Sequence, residues 1–283
     1  MNAKNKNLVE IHLAVFLFGL SGLFGKLLTL SSTIIVLGRV FFSSIFLLIL
    51  ILYVKKDIKL KEKNHYLYLI IMGVILAIHW STFFESIQVS TVAIGLLTFS
   101  TFPVFVTFLE PFFFKEKIKL SDIVIAIVTL LGVMLVIPKF QLGNSSTQGV
   151  MWGIVSGFTY AILSMLNRKF VKEYPSLVIA FYEQVIATIV LIPFFFLEKP
   201  VFSLKDILLL VLLGIVFTGI CHLLFINGLK NIKTQTAGII SSLEPVYGII
   251  FAAFLLREIP TLREILGGVI ILSTVFHSTI KSK

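Results

Sequence analysis

One cysteine in 283 residues excludes an internal disulfide, and charge is nearly as scarce. Cys221 sits inside an apolar run and reads as a small buried hydrophobe rather than a reactive thiol. Charged residues make up 13% of the chain, about half the share of an ordinary soluble domain. There is no P-loop, no G-x-S-x-G elbow and no H-E-x-x-H pair, which removes ATP hydrolysis and the commonest hydrolase chemistries. Long polar connections are missing too. The longest, 54–65 and 139–148, leave no room for a globular domain or a low-complexity tail.

What the chain has is apolar sequence: 58% hydrophobic residues and a mean hydropathy of +1.04. No soluble core of this length needs so much, whereas a bilayer takes about 20 predominantly apolar residues per spanning helix. The pattern predicts an all-α integral membrane protein with ten transmembrane helices, near 8–30, 33–53, 66–87, 90–114, 121–138, 149–168, 175–197, 206–228, 234–256 and 262–280. The first follows Met1–Asn7 without a small-residue cleavage site, so it is read as a retained helix. The net charge of +10 does not imply a nucleic-acid partner, because the cations occupy the breaks between apolar runs. In alternate breaks, 17 Lys and Arg fall on the side of the N-terminus and 5 on the other. Both termini are therefore expected in the cytoplasm, with the chain in the cell (inner) membrane and the lipid bilayer as its solvent.

The chain also reads as duplicated. Residues 79–116 are echoed by 222–258: His79 and His222 are 143 apart, as are Thr91 and Thr234. Pro103 and Pro245 are 142 apart, as are Glu116 and Glu258. Ten spans in two copies give five each, 1–138 and 149–283, and an odd repeat turns the second copy upside down. Such inverted repeats are the plan of many secondary transporters, with substrate near the midplane. Pro103 and Pro245 fall about 18 Å into their spans, at mid-depth, where a proline frees a carbonyl and permits a helix kink.

Ionisable groups inside spans cost about 2.5–3.5 kcal/mol each on insertion scales, so each calls for a reason. Lys26, Arg39 and Glu85 share one depth and form a candidate neutralised cluster; Lys26 and Glu85 equally suit snorkelling to the headgroups. Arg39, flanked by apolar residues, is expected to be paired or to face a pathway. In the second copy Lys26 maps to Arg168 and Arg39 to Glu183, which has Tyr182 and Gln184 beside it. Glu244, just before Pro245, is the most deeply placed carboxylate. His79, Trp80 and Phe83 form an aromatic stripe, and Asn227 follows His222 at i+5. No carboxylate stands at metal-ligand spacing from either histidine, so neither a metal nor a cofactor is expected. Gly19-Leu20-Ser21-Gly22 matches the nucleophile motif of intramembrane serine proteases, a four-residue match that chance supplies in a glycine-rich helix. The chain is expected not to be an enzyme.

With ten spans, an inverted duplication, and a proline followed thirteen residues later by a glutamate in both halves, the sequence resembles the EamA-type ten-helix carriers of the drug/metabolite transporter superfamily. Arg39 and the Gly267-Gly268 pair belong to the same resemblance. It implies a carrier of amino acids, nucleotide-related metabolites or other small polar molecules, commonly an exporter, with a cavity lined chiefly by helices 1, 3, 4, 6, 8 and 9. The glycine that usually precedes the loop glutamate is Lys115 in one half and Arg257 in the other, so those turns are expected to differ. Neither the first nor the sixth span holds the mid-depth carboxylate of the four-helix multidrug relatives.

The resulting expectation is alternating-access transport of a small polar metabolite, an amino acid or an amino-acid-like compound, with drug extrusion as the alternative. The candidate substrate contacts are Arg39, Lys26, His79, Trp80, Phe83, Tyr160, Tyr182, Glu183, Asn227 and Glu244, with Arg39 and Lys26 for an anionic group and Glu244 or Glu183 for coupling or an amine. A homodimer stays open as a further partner state.

Overall fold

The structure is a computed structural model that describes residues 3–114, 120–136, 141, 143–232, 234–241 and 243–281. Every described element is helical: α1 Ala3–Ser21, α2 Phe24–Leu27, α3 Ser32–Tyr53, α4 Lys63–Val89, α5 Val92–Phe99, α6 Phe102–Phe114, α7 Leu120–Val136 and α8 Ser145–Phe170. The order continues with α9 Ser176–Glu198, α10 Leu204–Gly214, a π-helical stretch Ile215–Ile220, α11 Cys221–Gly228, α12 Thr234–Ser241, α13 Glu244–Leu255 and α14 Leu262–Lys281. Short polar residues start several of them by occupying orphan amides. Ser31 accepts from the Ile34 amide, Thr91 from Ile94 and Asn144 from Ser146, while Ser203 and Asp206 form a reciprocal capping box.

Among the described residues, seven helices are long and apolar enough to cross a membrane: Asn5–Leu27, Ser32–Tyr53, Lys63–Val89, Val92–Leu109, Ser145–Phe170, Ser176–Glu198 and Leu204–Gly228. Ile123–Val136 and Glu244–Leu255 are shorter apolar helices. The expected fifth span has undescribed residues on both flanks, and the expected ninth is divided between Ser241 and Glu244. The surface is inverted relative to a soluble protein: Leu52 is 67% exposed and Phe196 68%, whereas Arg39 and Glu183 are 0% exposed. Apolar side chains outward and charge inward is the arrangement a bilayer demands.

α4 packs on α8 and α9, α3 on α9, α7 on α14, and α1 on α11 and α13. Glycines set the closest crossings. A Cβ on Gly19 of α1 would stand 2.7 Å from the Glu244 carbonyl oxygen, and one on Gly157 of α8 would stand 3.0 Å from that of Phe99. Both crossings therefore fall where a rod is broken. Pro103 and Pro245, read from the sequence as kinks, occupy the first turn of a new helix after each break. Lacking an amide hydrogen, proline costs least there.

Candidate functional site

Helices α1, α3, α4, α5, α8, α11 and α13 converge on a cavity of about 20 Å³ lined by Phe18, Ser21, Arg39, Leu76, His79, Trp80, Phe83, Phe99, Tyr160, His222 and Glu244. Its free space is narrow, wide enough for water-sized guests only.

Arg39 is fully buried, and four groups surround its guanidinium. Its guanidinium carbon lies 3.8 Å from the Trp80 ring centroid and 5.2 Å from that of Phe84. Its Nε donates to the Thr218 hydroxyl at 2.9 Å, and Nη2 approaches the Phe217 carbonyl at 3.5 Å. Both partners come from the π-helical stretch. Thr218 in turn donates to the Leu213 carbonyl five residues back, at 2.7 Å. Such π-turns free backbone carbonyls from the regular ladder and recur at functional sites. Nη1 has no hydrogen-bond partner among the described residues.

Glu244 faces the same cavity at 5% exposure. No described residue hydrogen-bonds its carboxyl, and among the described residues no ion pair joins it to Arg39. The break before Pro245 brings this carboxyl to mid-bundle, with Gly19 of α1 packed against its backbone. A guanidinium Nη1 and a carboxyl that have no hydrogen-bond partner among the described residues thus share one space. An unpaired buried charge costs several kcal/mol, which singles out both groups as candidates for ligand contact.

Between them stand aromatic walls. His79 packs at 4.8 Å on Tyr160 and 5.4 Å on Phe99, centroid to centroid, and its Nδ1 lies 2.9 Å from the Ser156 hydroxyl. That bond ties α4 to α8 and fixes the imidazole plane. His222 meets the Trp80 edge at 5.5 Å.

Of the residues singled out from sequence, Arg39, His79, Trp80, Phe83, Tyr160 and Glu244 line the cavity, and four others do not. Glu183 lies behind His222, whose Nε2 is 2.6 Å from its carboxylate, and it also accepts from Asn167 at 2.9 Å. Its oxygens are committed to partners and are not free for a substrate amine. Tyr182 donates to the Ile58 carbonyl at 3.1 Å, and Asn227 donates to Glu10 at 2.8 Å, both at the end of the bundle that holds the N-terminus. Lys26 donates to the Ser90 and Gln88 carbonyls at 2.7 and 3.3 Å. The expected Lys26–Arg39–Glu85 cluster does not form, because Glu85 accepts from Ser32 at 2.6 Å while Arg39 turns inward onto Trp80.

Thr218, the Phe217 carbonyl, Phe18 and Phe99 were not singled out. The π-turn leaves no mark in composition, although Gly214 just before it and Gly219 within it admit the close approach of α3. His222, the counterpart of His79, also lines the cavity. The Ser21 hydroxyl donates to the Phe18 carbonyl at 2.8 Å, and no described histidine hydrogen-bonds it. No group of three or more His, Cys, Asp or Glu able to hold a metal occurs among the described residues.

A helical membrane bundle closed around a small chamber with charge of both signs and aromatic walls is the architecture of a solute carrier. The chain belongs to the EamA-like transporter family, whose model matches residues 8–137 and again 147–280. It is 27% identical over 275 residues to the uncharacterized transporter YxxF of Bacillus subtilis, covering 95% of this chain and 88% of that one. It is 26% identical over 242 residues to the S-adenosylmethionine uptake transporter of Rickettsia bellii, covering 84% and 80%. A solved crystal structure superposes with a TM-score of 0.72 over 98% of this chain and 97% of its own, at 14% identity, which establishes a shared fold. Glu116, part of the sequence resemblance, lies outside the described residues.

Proposed function

We propose that this membrane transporter moves a zwitterionic amino acid or amino-acid-like compound by alternating access. The observation that carries the reading is the shared cavity of Arg39 and Glu244, both buried, with no hydrogen-bond partner for the Arg39 Nη1 or the Glu244 carboxyl among the described residues. A carboxylate on Arg39 and an ammonium on Glu244 would neutralise both at once. Aromatic faces suit a second cationic or planar group, because a desolvated cation over such a ring gains about 2 kcal/mol. The Rickettsia relative is named for uptake of S-adenosylmethionine, an amino acid extended by a sulfonium and a purine, which has all of these features. A drug exporter needs no such charge pair.

The accompanying architecture is ten transmembrane helices in two inverted five-helix repeats, with both termini in the cytoplasm. Support comes from the two successive matches to the family model. The glycine crossings agree: Gly157 meets the first broken rod much as Gly19 meets the second. Contacts exchange in the same way, α4 on α8 answering α11 on α1. The narrow cavity corresponds to an occluded state that must open to admit a solute.

The test is uptake of labelled S-adenosylmethionine and of a panel of amino acids into proteoliposomes. Saturable uptake that is lost in both Arg39→Ala and Glu244→Gln is expected. Uptake unaffected by either change would remove the assignment.

A further inference from the structure

At the end of the bundle opposite the termini, two turns from different halves of the chain are joined by side chains the cavity does not use. Glu258, between α13 and α14, accepts the Val92 amide of α5 at 2.6 Å. Glu264 of α14 accepts from the Thr91 hydroxyl at 3.1 Å and from the Thr261 amide at 2.5 Å. Lys26, at the tip of α2, reaches the same turn through the carbonyls of Ser90 and Gln88. Thr91 itself caps α5 at the Ile94 amide, so Glu258 takes one of the amides that Thr91 leaves open.

Backbone geometry aims this carboxyl. Arg257 has φ 56°, in the left-handed region that side chains other than glycine's avoid. The Glu258 amide is bound back to the Ala252 carbonyl at 3.2 Å, so the chain folds over the end of α13 and points Glu258 at α5. Of the two turns expected to differ for want of a glycine, the one at Lys115 lies outside the described residues. At the other, Arg257 holds a backbone conformation that glycine adopts freely, at a cost of order 1–3 kcal/mol that the contacts around the turn must offset.

α5 and α13 pack directly on one another: a Cβ on Gly248 would fall 2.2 Å from the Leu96 side chain. Beneath them, Phe99 and Glu244 form part of the cavity wall. Parting these two segments would open the chamber at this end.

We infer that Glu258 and Glu264 are a clasp that holds the α4–α5 turn to the α13–α14 turn and keeps this face of the cavity shut. The inference rests on the alternating-access reading. The acceptor oxygens do the holding, because without them the Val92 and Thr91 donors lose their cross-bundle partners.

The experiment starts from Cys221→Ala, which removes the single thiol, with Ser21→Cys added as a reporter inside the cavity. Labelling by a membrane-impermeant maleimide is followed on the full chain from each side of sealed vesicles. Glu258→Ala and Glu264→Ala should raise labelling from the clasp side several-fold, and Glu258→Gln, which keeps an acceptor oxygen, should not. In parallel, spin labels at Val89→Cys and Ile259→Cys, again with Cys221→Ala, report the gap between the turns on the folded, monodisperse fraction. The gap should lengthen and broaden in the alanine variants. An unchanged gap in both alanine variants overturns the clasp. A gap that widens with no rise in labelling from that side overturns it too, because the turns would then be joined without shutting the cavity. If gap and labelling both respond while the proteoliposomes take up neither S-adenosylmethionine nor any amino acid, the transport reading fails and the clasp stands.

Discussion

The guanidinium of Arg39 lies over Trp80, 3.8 Å from ring centroid to Cζ, in the middle of a membrane helix bundle. The ring face helps a fully desolvated cation that has no carboxylate partner among the described residues, and Nη1 has no partner among them either. Arginine's planar, weakly hydrated head suits such a seat in a way that a lysine ammonium does not. Arg39→Lys should therefore lose ligand affinity nearly as completely as Arg39→Ala, by tenfold or more, where a simple charge requirement would preserve it. Ligand-induced thermal stabilisation of the three proteins separates the two cases.

The His222–Glu183 pair is buried on both sides, at 2% and 0% side-chain exposure. Removing one member of such a buried hydrogen-bonded pair leaves the other without its partner in a dry interior, at a cost of about 1–3 kcal/mol or more. His222→Ala should lower the unfolding midpoint strongly. His222→Ala with Glu183→Gln should recover much of the loss, since Asn167 can still donate to the amide oxygen at 183. Equal midpoints for the single and double variants would show that the pair is not coupled.

The glycines at the two breaks are expected to be stability determinants. An added Cβ on Gly19 would meet the Glu244 carbonyl at 2.7 Å, which forces backbone movement. Overpacking of this kind costs about 1–3 kcal/mol. Gly19→Ala should lower the unfolding midpoint, Gly157→Ala should lower it less, and Gly143→Ala, with nothing within 4 Å, should leave it unchanged.

The clasp has a pH dependence of definite sign. Burial is the largest influence on Glu258 and, with Glu264 nearby, raises its pKa above the ordinary 4.5, against the Val92 and Ala93 amides and Lys26, which lower it. A carboxyl whose pKa is raised in the closed form binds protons more tightly there than when open. Closure is thus favoured as pH falls through the raised value, fully so below 4.5, and loses that contribution as pH rises past it. The Val89–Ile259 label distance should shorten on acidification, and Glu258→Gln should remove the trend.

Much of the fold was legible because bilayer solvation imposes a coarse rule, an apolar run for each helix, which composition displays directly. Arg39 and Glu244 were legible for the related reason that a charge in such a run needs an explanation. Glu183 obeyed the same rule and misled, since its burial is explained by His222 and Asn167 across the interior, contacts that no local pattern encodes. Lys26 shows the opposite case, a cation near a helix end that is spent on backbone carbonyls rather than on substrate. The breaks before Pro103 and Pro245 were half legible: proline marks the site, but whether the helix bends or stops depends on the glycine packed against it. The π-turn that supplies Thr218 to Arg39 had no sequence signal, because its register is set by packing against α3.

The most direct test of the central claim pairs a change in the protein with a change in the ligand. Affinity is measured for a transported amino-acid-like compound and for its methyl ester, against the unaltered chain and against Arg39→Ala. If Arg39 reads the carboxylate, esterification should weaken binding to the unaltered chain at least about tenfold, near 1.4 kcal/mol, and should cost almost nothing further in Arg39→Ala. The same penalty in both proteins would contradict the assignment of Arg39 to the carboxylate, and with it the zwitterion-binding site proposed for this cavity.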